Sequence, residues 1–252
     1  MVIDGRGIAE RRLLKLIEER SHFGPLTLSI VVMQESAVTT SFLKIKSRVA
    51  ERLGVTVEYV PTIDVANGDG VILQLPLPPG MNTDDERNKI PFEKDVDVLS
   101  DRAYEAFVRG DFPPPPVPRA MEYILHSEDI SIAGKKVVVI GQGRLVGKPA
   151  TELFRQRGGD VTSFQKGDDI YAATLSADII VLGAGEPHML KPHMIKDGVV
   201  ILDAGTSEAS GKVVGDADPA CAEKSSLFTP VPGGIGPLAV VEIFANLLAL
   251  KA

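Results

Sequence analysis

The sequence predicts an α/β fold in two domains, an N-terminal α/β domain followed by a doubly wound parallel sheet. Three observations carry this. Through the first hundred residues, amphipathic helical stretches alternate with short β-branched runs. At 110–119 the run GDFPPPPVPR breaks that grammar, because consecutive prolines cannot form a helix interior and favour a stiff, extended chain. Beyond it, KKVVVIGQGRLVGKPATELFRQRGGDVTSF reads strand, glycine turn, helix, strand.

Taken in order, residues 8–20 place Ile8, Leu13, Leu16 and Ile17 on one helical stripe. LTLSIVVM (26–33) is a strand, and TSFLKIKSRVAERL (40–53) is a helix stopped by Gly54. VTVEYV (55–60) alternates as a strand, and VILQL (71–75) is the next, apolar except for Gln74. TDDERNKI (83–90) is a short charged helix. The domain boundary is expected in the proline run, at residues 117/118, with a connecting helix from Ala120. In the second domain, 118–237, ADIIVLGAG and GVVILDAG are further buried parallel strands, each ending in glycine. GKVVGDAD is a polar loop or short hairpin, and TPVPGGIGPL (229–238) a rigid loop. A last helix, about 238–252, is expected to pack back on the first domain, residues 1–117.

The totals exclude several classes. Of 252 residues 44% are apolar, enough for a packed core, and the net charge of −7 argues against a nucleic-acid binder. One cysteine, Cys221, rules out an intrachain disulfide and fits a reducing, cytoplasmic setting. The four histidines are scattered, so no metal site is expected. No run approaches the roughly 20 apolar residues of a membrane span, and a soluble protein is expected.

Four features carry chemistry. Gly141-Gln142-Gly143-Arg144-Leu145-Val146-Gly147 lies between a strand and a helix, where glycines let the backbone approach a diphosphate and the helix offers free N–H groups. No acidic residue ends the following strand; Gln165 and Lys166 come first, and a lysine there suits the extra phosphate of NADP. Asp168 and Asp169 lie just beyond and keep NAD open. TPVPGGIGPL packs three prolines and three glycines into ten residues, a backbone wall against a flat ligand. Finally, Phe42 and Lys46 are four apart on a helical face that also carries Val49 and Leu53. A lysine on such a stripe either snorkels to solvent or is buried with a lowered pKa, and then needs a polar partner, for which Gln74 is available. KDVD (94–97) places Asp95 and Asp97 on one side of an expected extended segment, either solvated or clamping donors of a heterocycle.

Together, GVILQLPLPPGMN, KDVD, VVVIGQGRLVGKP, GKVVGDAD and TPVPGGIGPL resemble, in order and spacing, the bifunctional methylenetetrahydrofolate dehydrogenase/cyclohydrolase family. The resemblance implies a Rossmann-like second domain, a cleft between the domains and a homodimer. It implies oxidation of methylenetetrahydrofolate with NAD(P), then hydrolysis of the methenyl product to formyltetrahydrofolate. Lys46 falls where the family has its catalytic lysine, Gln74 matches the glutamine that partners it, and Asp97 the aspartate that holds the pterin. Leu75 and Pro76 follow as a lip beside the pterin pocket, with Phe42 beside it. Pro232, Gly233 and Gly236 match the loop lining substrate and nicotinamide, and Ala204, Gly205 and Thr206 a strand-end cofactor contact. Gly141, Gly143, Arg144, Leu145 and Gly147 form the dinucleotide turn.

There are departures. The family's usual tyrosine is Phe42, its glycine after the second aspartate is Val98, and its Arg-Ser in the turn is Gln142-Gly143, leaving Arg144 or Lys166 to meet the phosphate. The segment between Val60 and Gly70 is shorter than the family's, with no helix expected. A dehydrogenase with weak or no hydrolase activity, and a non-catalytic binding relative, therefore stay open as alternatives.

Overall fold

The computed structural model describes residues 1–34, 37–209 and 212–252; the side chains of residues 37–39, 41, 42, 208, 209 and 212 lie outside that description. The chain divides into two compact units, Glu10–Pro116 with Val240–Ala252, and Met1–Ala9 with Val117–Ala239.

The first of these holds Glu10–Arg20 of helix α1 (Gly5–Arg20), which starts three residues before the apolar stripe because the Asp4 carboxylate accepts from Gly7 N–H (3.1 Å) and caps it. Strands β1 (Leu26–Val31), β2 (Val55–Val60) and β3 (Gly70–Leu73) form a parallel sheet in the order β2-β1-β3. Helix α2 (Ala37–Leu53) joins β1 to β2, and Gly54, at φ +62°, ends it in the left-handed conformation glycine permits. One 3₁₀ turn, Ile63–Val65, stands between β2 and β3.

β3 is shorter than the apolar run. Gln74 N–H still donates to Val31 O (3.0 Å), and then Pro76 and Pro78, lacking N–H groups, cannot extend the ladder. Helix α3 (Thr83–Arg87) also ends early, and α4 (Asp101–Arg109) was not anticipated, although Ser100 caps its start and Gly110, at φ +82°, its end. Arg12 donates to Glu242 Oε1 (3.0 Å), and the Asn246 amide donates to Val96 O and Pro114 O (2.9 and 3.0 Å), tying the C-terminal helix to this unit.

The second unit opens with α5 (Pro116–Ser127), which begins inside the proline run rather than at Ala120. Proline is tolerated in a first turn, where its missing N–H has no partner to lose. Strand β4 (Lys136–Ile140), helix α6 (Gly147–Gln156), strand β5 (Asp160–Phe164), helix α7 (Tyr171–Ser176), and strands β6 (Ile179–Leu182) and β7 (Val200–Asp203) follow. β8 (Ser207–Ala209) and β9 (Lys212–Val214) pair antiparallel as a hairpin. Strand β10 (Leu227–Phe228) is a short edge strand, and helix α8 (Ile235–Ala249) closes the chain.

The parallel sheet runs β10-β7-β6-β4-β5, so β4 lies between β5 and β6 and the chain changes direction across the sheet there. Ile140, Ile180, Leu182 and Ile201 fill one core of this unit. The chain's first residues extend the β10 edge: Ile3 N–H donates to Phe228 O and Phe228 N–H to Met1 O, both at 2.9 Å. No helix among the described residues is long and apolar enough to cross a membrane.

Candidate active site

Lys46 projects from α2 with only 8% of its surface exposed. Its Nζ donates to Gln74 Oε1 at 2.8 Å, and Gln74 Nε2 donates to Leu75 O at 2.8 Å. The amide is thereby fixed in orientation, with its oxygen toward the lysine. Burial disfavours the ammonium and lowers the Lys46 pKa below the usual lysine range, and the charge of Asp97 pulls the other way.

Asp97 is half-buried, and desolvation raises its carboxyl above the usual range, with Asp95 adding to the rise and Lys46 opposing it. Among the described residues it accepts no hydrogen bond. Asp95 has the opposite fate. It is fully buried, and its carboxylate accepts from Leu99 N–H (3.0 Å) and Ser100 N–H (2.8 Å). The expected extended segment is therefore a turn. It follows a 3₁₀ helix (Phe92–Lys94) and bends through Val98 at φ +56°, so the two carboxylates do different work. That φ explains why a glycine suits the position: a buried β-branched residue in the left-handed region is strained.

Past Gln74, Leu75 packs on the cluster of Val31, Ile63, Val71, Leu73 and Ile90, while Pro76 is exposed. Leu75 thus anchors the lip and Pro76 forms its surface. The side chain of Phe42 lies outside the described residues.

In the dinucleotide turn the three glycines differ. Gly141 has φ +90°, and a Cβ on it would overlap Gly183 O; a Cβ on Gly147 would overlap Gly141 O. Both are required by the packing of the turn against itself and the exit of β6. Gly143 faces open space, with nothing within 4 Å of a Cβ, which leaves its backbone bare to a ligand. The α6 cap, Val146, supplies no side-chain hydrogen bond; Lys148 N–H donates to Gly143 O (3.1 Å) and Pro149 has no N–H, which leaves the first-turn N–H of Gly147 for an anion. Arg144 is half-buried beside the turn, Leu145 is 42% exposed, and the Gln142 amide donates to Gly141 O (3.0 Å).

At the end of β5 the acidic candidates are committed to backbone. Asp168 Oδ2 accepts from Gln165 N–H (2.7 Å), and Asp169 Oδ1 from Tyr171 N–H (3.1 Å). Lys166 is exposed and pairs with Glu186 at 3.6 Å. These residues fit a dinucleotide with a phosphate on its ribose better than one with free hydroxyls.

Two buried carboxylates underlie this surface, and sequence reasoning missed both. Asp203 accepts from Gly205 N–H (2.9 Å), Asp216 N–H (3.2 Å) and Ala217 N–H (2.8 Å); burial pushes its carboxyl up to about 6 against those bonds. Asp216 accepts from Ala184, Gly185 and Glu186 N–H groups at 2.7, 3.1 and 2.8 Å. A Cβ on Gly205 would overlap the Asp216 carboxylate, so that glycine is required by the protein's own packing. Ala204 and Thr206 flank it, half-buried and exposed. The aspartates in LDAG and GDAD, each beside a glycine, were the available signal.

The loop after β10 has a backed side and an open side. A Cβ on Gly5 would overlap Gly234 O, so α1 begins hard against the loop, whereas Gly233 (φ +104°) and Gly236 have nothing within 4 Å of a Cβ. Pro232 is exposed. α8 starts at Ile235, earlier than the expected 238, again because Pro237 sits in a first turn where no N–H is needed.

Residues 115–252 match the family model described as tetrahydrofolate dehydrogenase/cyclohydrolase, NAD(P)-binding domain. The chain is 31% identical over 267 residues to the bifunctional protein FolD of Caldanaerobacter subterraneus subsp. tengcongensis, with 98% of this chain and 95% of that one covered. It is 33% identical to the FolD of Methanospirillum hungatei with the same coverage. Among solved structures, the FolD methylenetetrahydrofolate dehydrogenase/cyclohydrolase of Campylobacter jejuni superposes with a TM-score of 0.92 at 26% identity, covering 99% of this chain and 98% of that one. The Trypanosoma brucei enzyme, complexed with NADP cofactor and inhibitor, gives 0.90 at 27% identity, covering 99% and 96%. The chain belongs to the tetrahydrofolate dehydrogenase/cyclohydrolase family.

Proposed function

We propose that this chain is a bifunctional enzyme of folate one-carbon metabolism. It oxidises methylenetetrahydrofolate to methenyltetrahydrofolate, with NADP preferred to NAD, and hydrolyses the product to formyltetrahydrofolate. The observation that carries the reading is the buried Lys46 bonded to Gln74 with Asp97 acting on it, in a chain aligned nearly end to end with bifunctional relatives. The unit of Glu10–Pro116 takes the folate and the unit of Val117–Ala239 the dinucleotide.

For oxidation, bound NADP supplies the hydride acceptor. The chain's own work is positional. Asp97 accepts N–H donors of the pterin, and the backbone at Gly233 and Gly236 walls the open side of its loop. Gly141, Gly143 and the α6 N-terminus would hold the diphosphate, with Lys166 at the ribose phosphate. The substrate's nitrogen lone pairs stabilise the cation left behind, so this step needs no base.

Hydrolysis needs one. Water oxygen bonds to the methenyl carbon as neutral Lys46 takes a proton from it. The carbon–nitrogen bond then breaks as Lys46 returns a proton to the leaving nitrogen, and the hydroxyl proton passes to solvent. The lowered Lys46 pKa supplies the neutral amine, and Gln74 holds it in place. We take the enzyme as a cytoplasmic homodimer serving purine biosynthesis, a reading supported by the family and by the acidic, disulfide-free composition.

The test follows absorbance at the NAD(P)H and methenyl bands after methylenetetrahydrofolate is mixed with the protein and either dinucleotide. Reduced cofactor should appear faster with NADP, and the methenyl band should rise and then decay. A methenyl band that persists at its uncatalysed rate removes the hydrolase half, and no change in either band removes both.

A further inference from the structure

Lys166 and Glu186 leave the sheet from strands on opposite sides of β4. Lys166 lies two residues past β5 and Glu186 four past β6, yet their side chains meet at 3.6 Å. The pair therefore reaches across the end of β4, above the glycine turn. The β6 exit is itself pressed on that turn, since a Cβ on Gly183 would strike the Val146 side chain.

Glu186 is not placed by a loose loop. Its N–H donates to Asp216, whose buried carboxylate also holds the N–H groups of Ala184 and Gly185. On its far side His188 N–H donates to Gly215 O (3.1 Å) and Leu190 N–H to Asp216 O (3.0 Å). The backbone that carries the Glu186 carboxylate is thus anchored to the core of the unit, and the carboxylate faces the one lysine at the position where a ribose phosphate is read.

We propose that Glu186 is a specificity-determining residue for the dinucleotide: its carboxylate occupies Lys166 in the free protein, standing in for the ribose 2′-phosphate, and NADP must displace it to bind. NAD makes no such demand on Lys166, so Glu186 narrows the preference for NADP over NAD. An exposed pair of this kind is weak, so the effect is a tuning one. The inference rests on the reading of this surface as the dinucleotide site.

The experiment measures Kd for NADP and for NAD by equilibrium titration with wild type, Glu186→Gln, Lys166→Ala and the double variant. Glu186→Gln keeps the backbone N–H that Asp216 holds. NADP should bind Glu186→Gln about two- to fivefold more tightly than wild type, with NAD changed by less, raising the NADP/NAD affinity ratio. In the Lys166→Ala background the same substitution should leave that ratio unchanged. A ratio unaffected by Glu186→Gln, or raised equally without Lys166, overturns the role of Glu186 while leaving the site intact. Wild type binding neither dinucleotide overturns the site reading and the inference with it.

Discussion

The two units build their sites from opposite materials. In the proposed folate site the chemistry comes from the side chains of Lys46, Gln74 and Asp97, and burial lowers the pKa of Lys46 and raises that of Asp97. In the proposed dinucleotide turn it comes from missing side chains: Gly141 and Gly147 let the turn close, and Gly143 leaves its backbone open. A side-chain site of this kind depends on its charges and on the burial that shifts them. A backbone site tolerates neither a methyl group where the turn closes on itself nor, at its open position, a methyl group where the ligand lies.

The sharpest way to break this contrast is Lys46→Met. It should cut methenyl hydrolysis by about 100-fold or more, leave dinucleotide affinity unchanged, and raise the melting temperature, since a group whose pKa falls on folding costs stability below its unfolded pKa. Kinetics, titration and a thermal melt read the three results. On the other side, Gly147→Ala should destabilise the protein by about 3 kcal/mol, because its methyl overlaps the Gly141 carbonyl. Gly143→Ala should leave stability within about 0.5 kcal/mol and weaken dinucleotide binding, as a denaturant melt beside a titration will show. Equal stability losses at the two positions would dissolve the distinction between them. The smallest effect is expected at Val98→Gly. Release of about 1–2 kcal/mol of left-handed strain is offset by loss of a buried side chain, and the net change should stay within about 1 kcal/mol in a denaturant melt.

Why some of this was legible is a matter of locality. An amide in an apolar strand and a lysine on an apolar stripe each require a partner, so Gln74 and Lys46 pointed to each other from 28 positions apart. Asp95 and Asp97 are the same residue type two positions apart, and nothing local says which is spent on the fold. That is decided by the left-handed turn at Val98, which brings the Leu99 and Ser100 N–H groups back onto Asp95. Likewise the three turn glycines look alike in sequence, and only the folded turn, closing on itself and on the exit of β6, separates those that are packed from the one that is open. The helices α5 and α8 were misjudged at their starts because proline was read as a breaker, although first turns accept it. Asp203 and Asp216 escaped notice because their donors are backbone groups from segments joined only by the fold.

Burial favours the neutral form of Lys46, and the proposed hydrolysis of the methenyl product uses that form. Its most direct test is the rate of methenyltetrahydrofolate hydrolysis against pH, corrected for the uncatalysed reaction, in wild type and Gln74→Glu. The wild-type rate should rise with pH through one ionisation below the ordinary lysine value of 10.5. A carboxylate at position 74 favours the ammonium and should move that ionisation upward, lowering the rate near neutral pH. A profile that is flat in wild type, or unmoved by Gln74→Glu, would contradict the account.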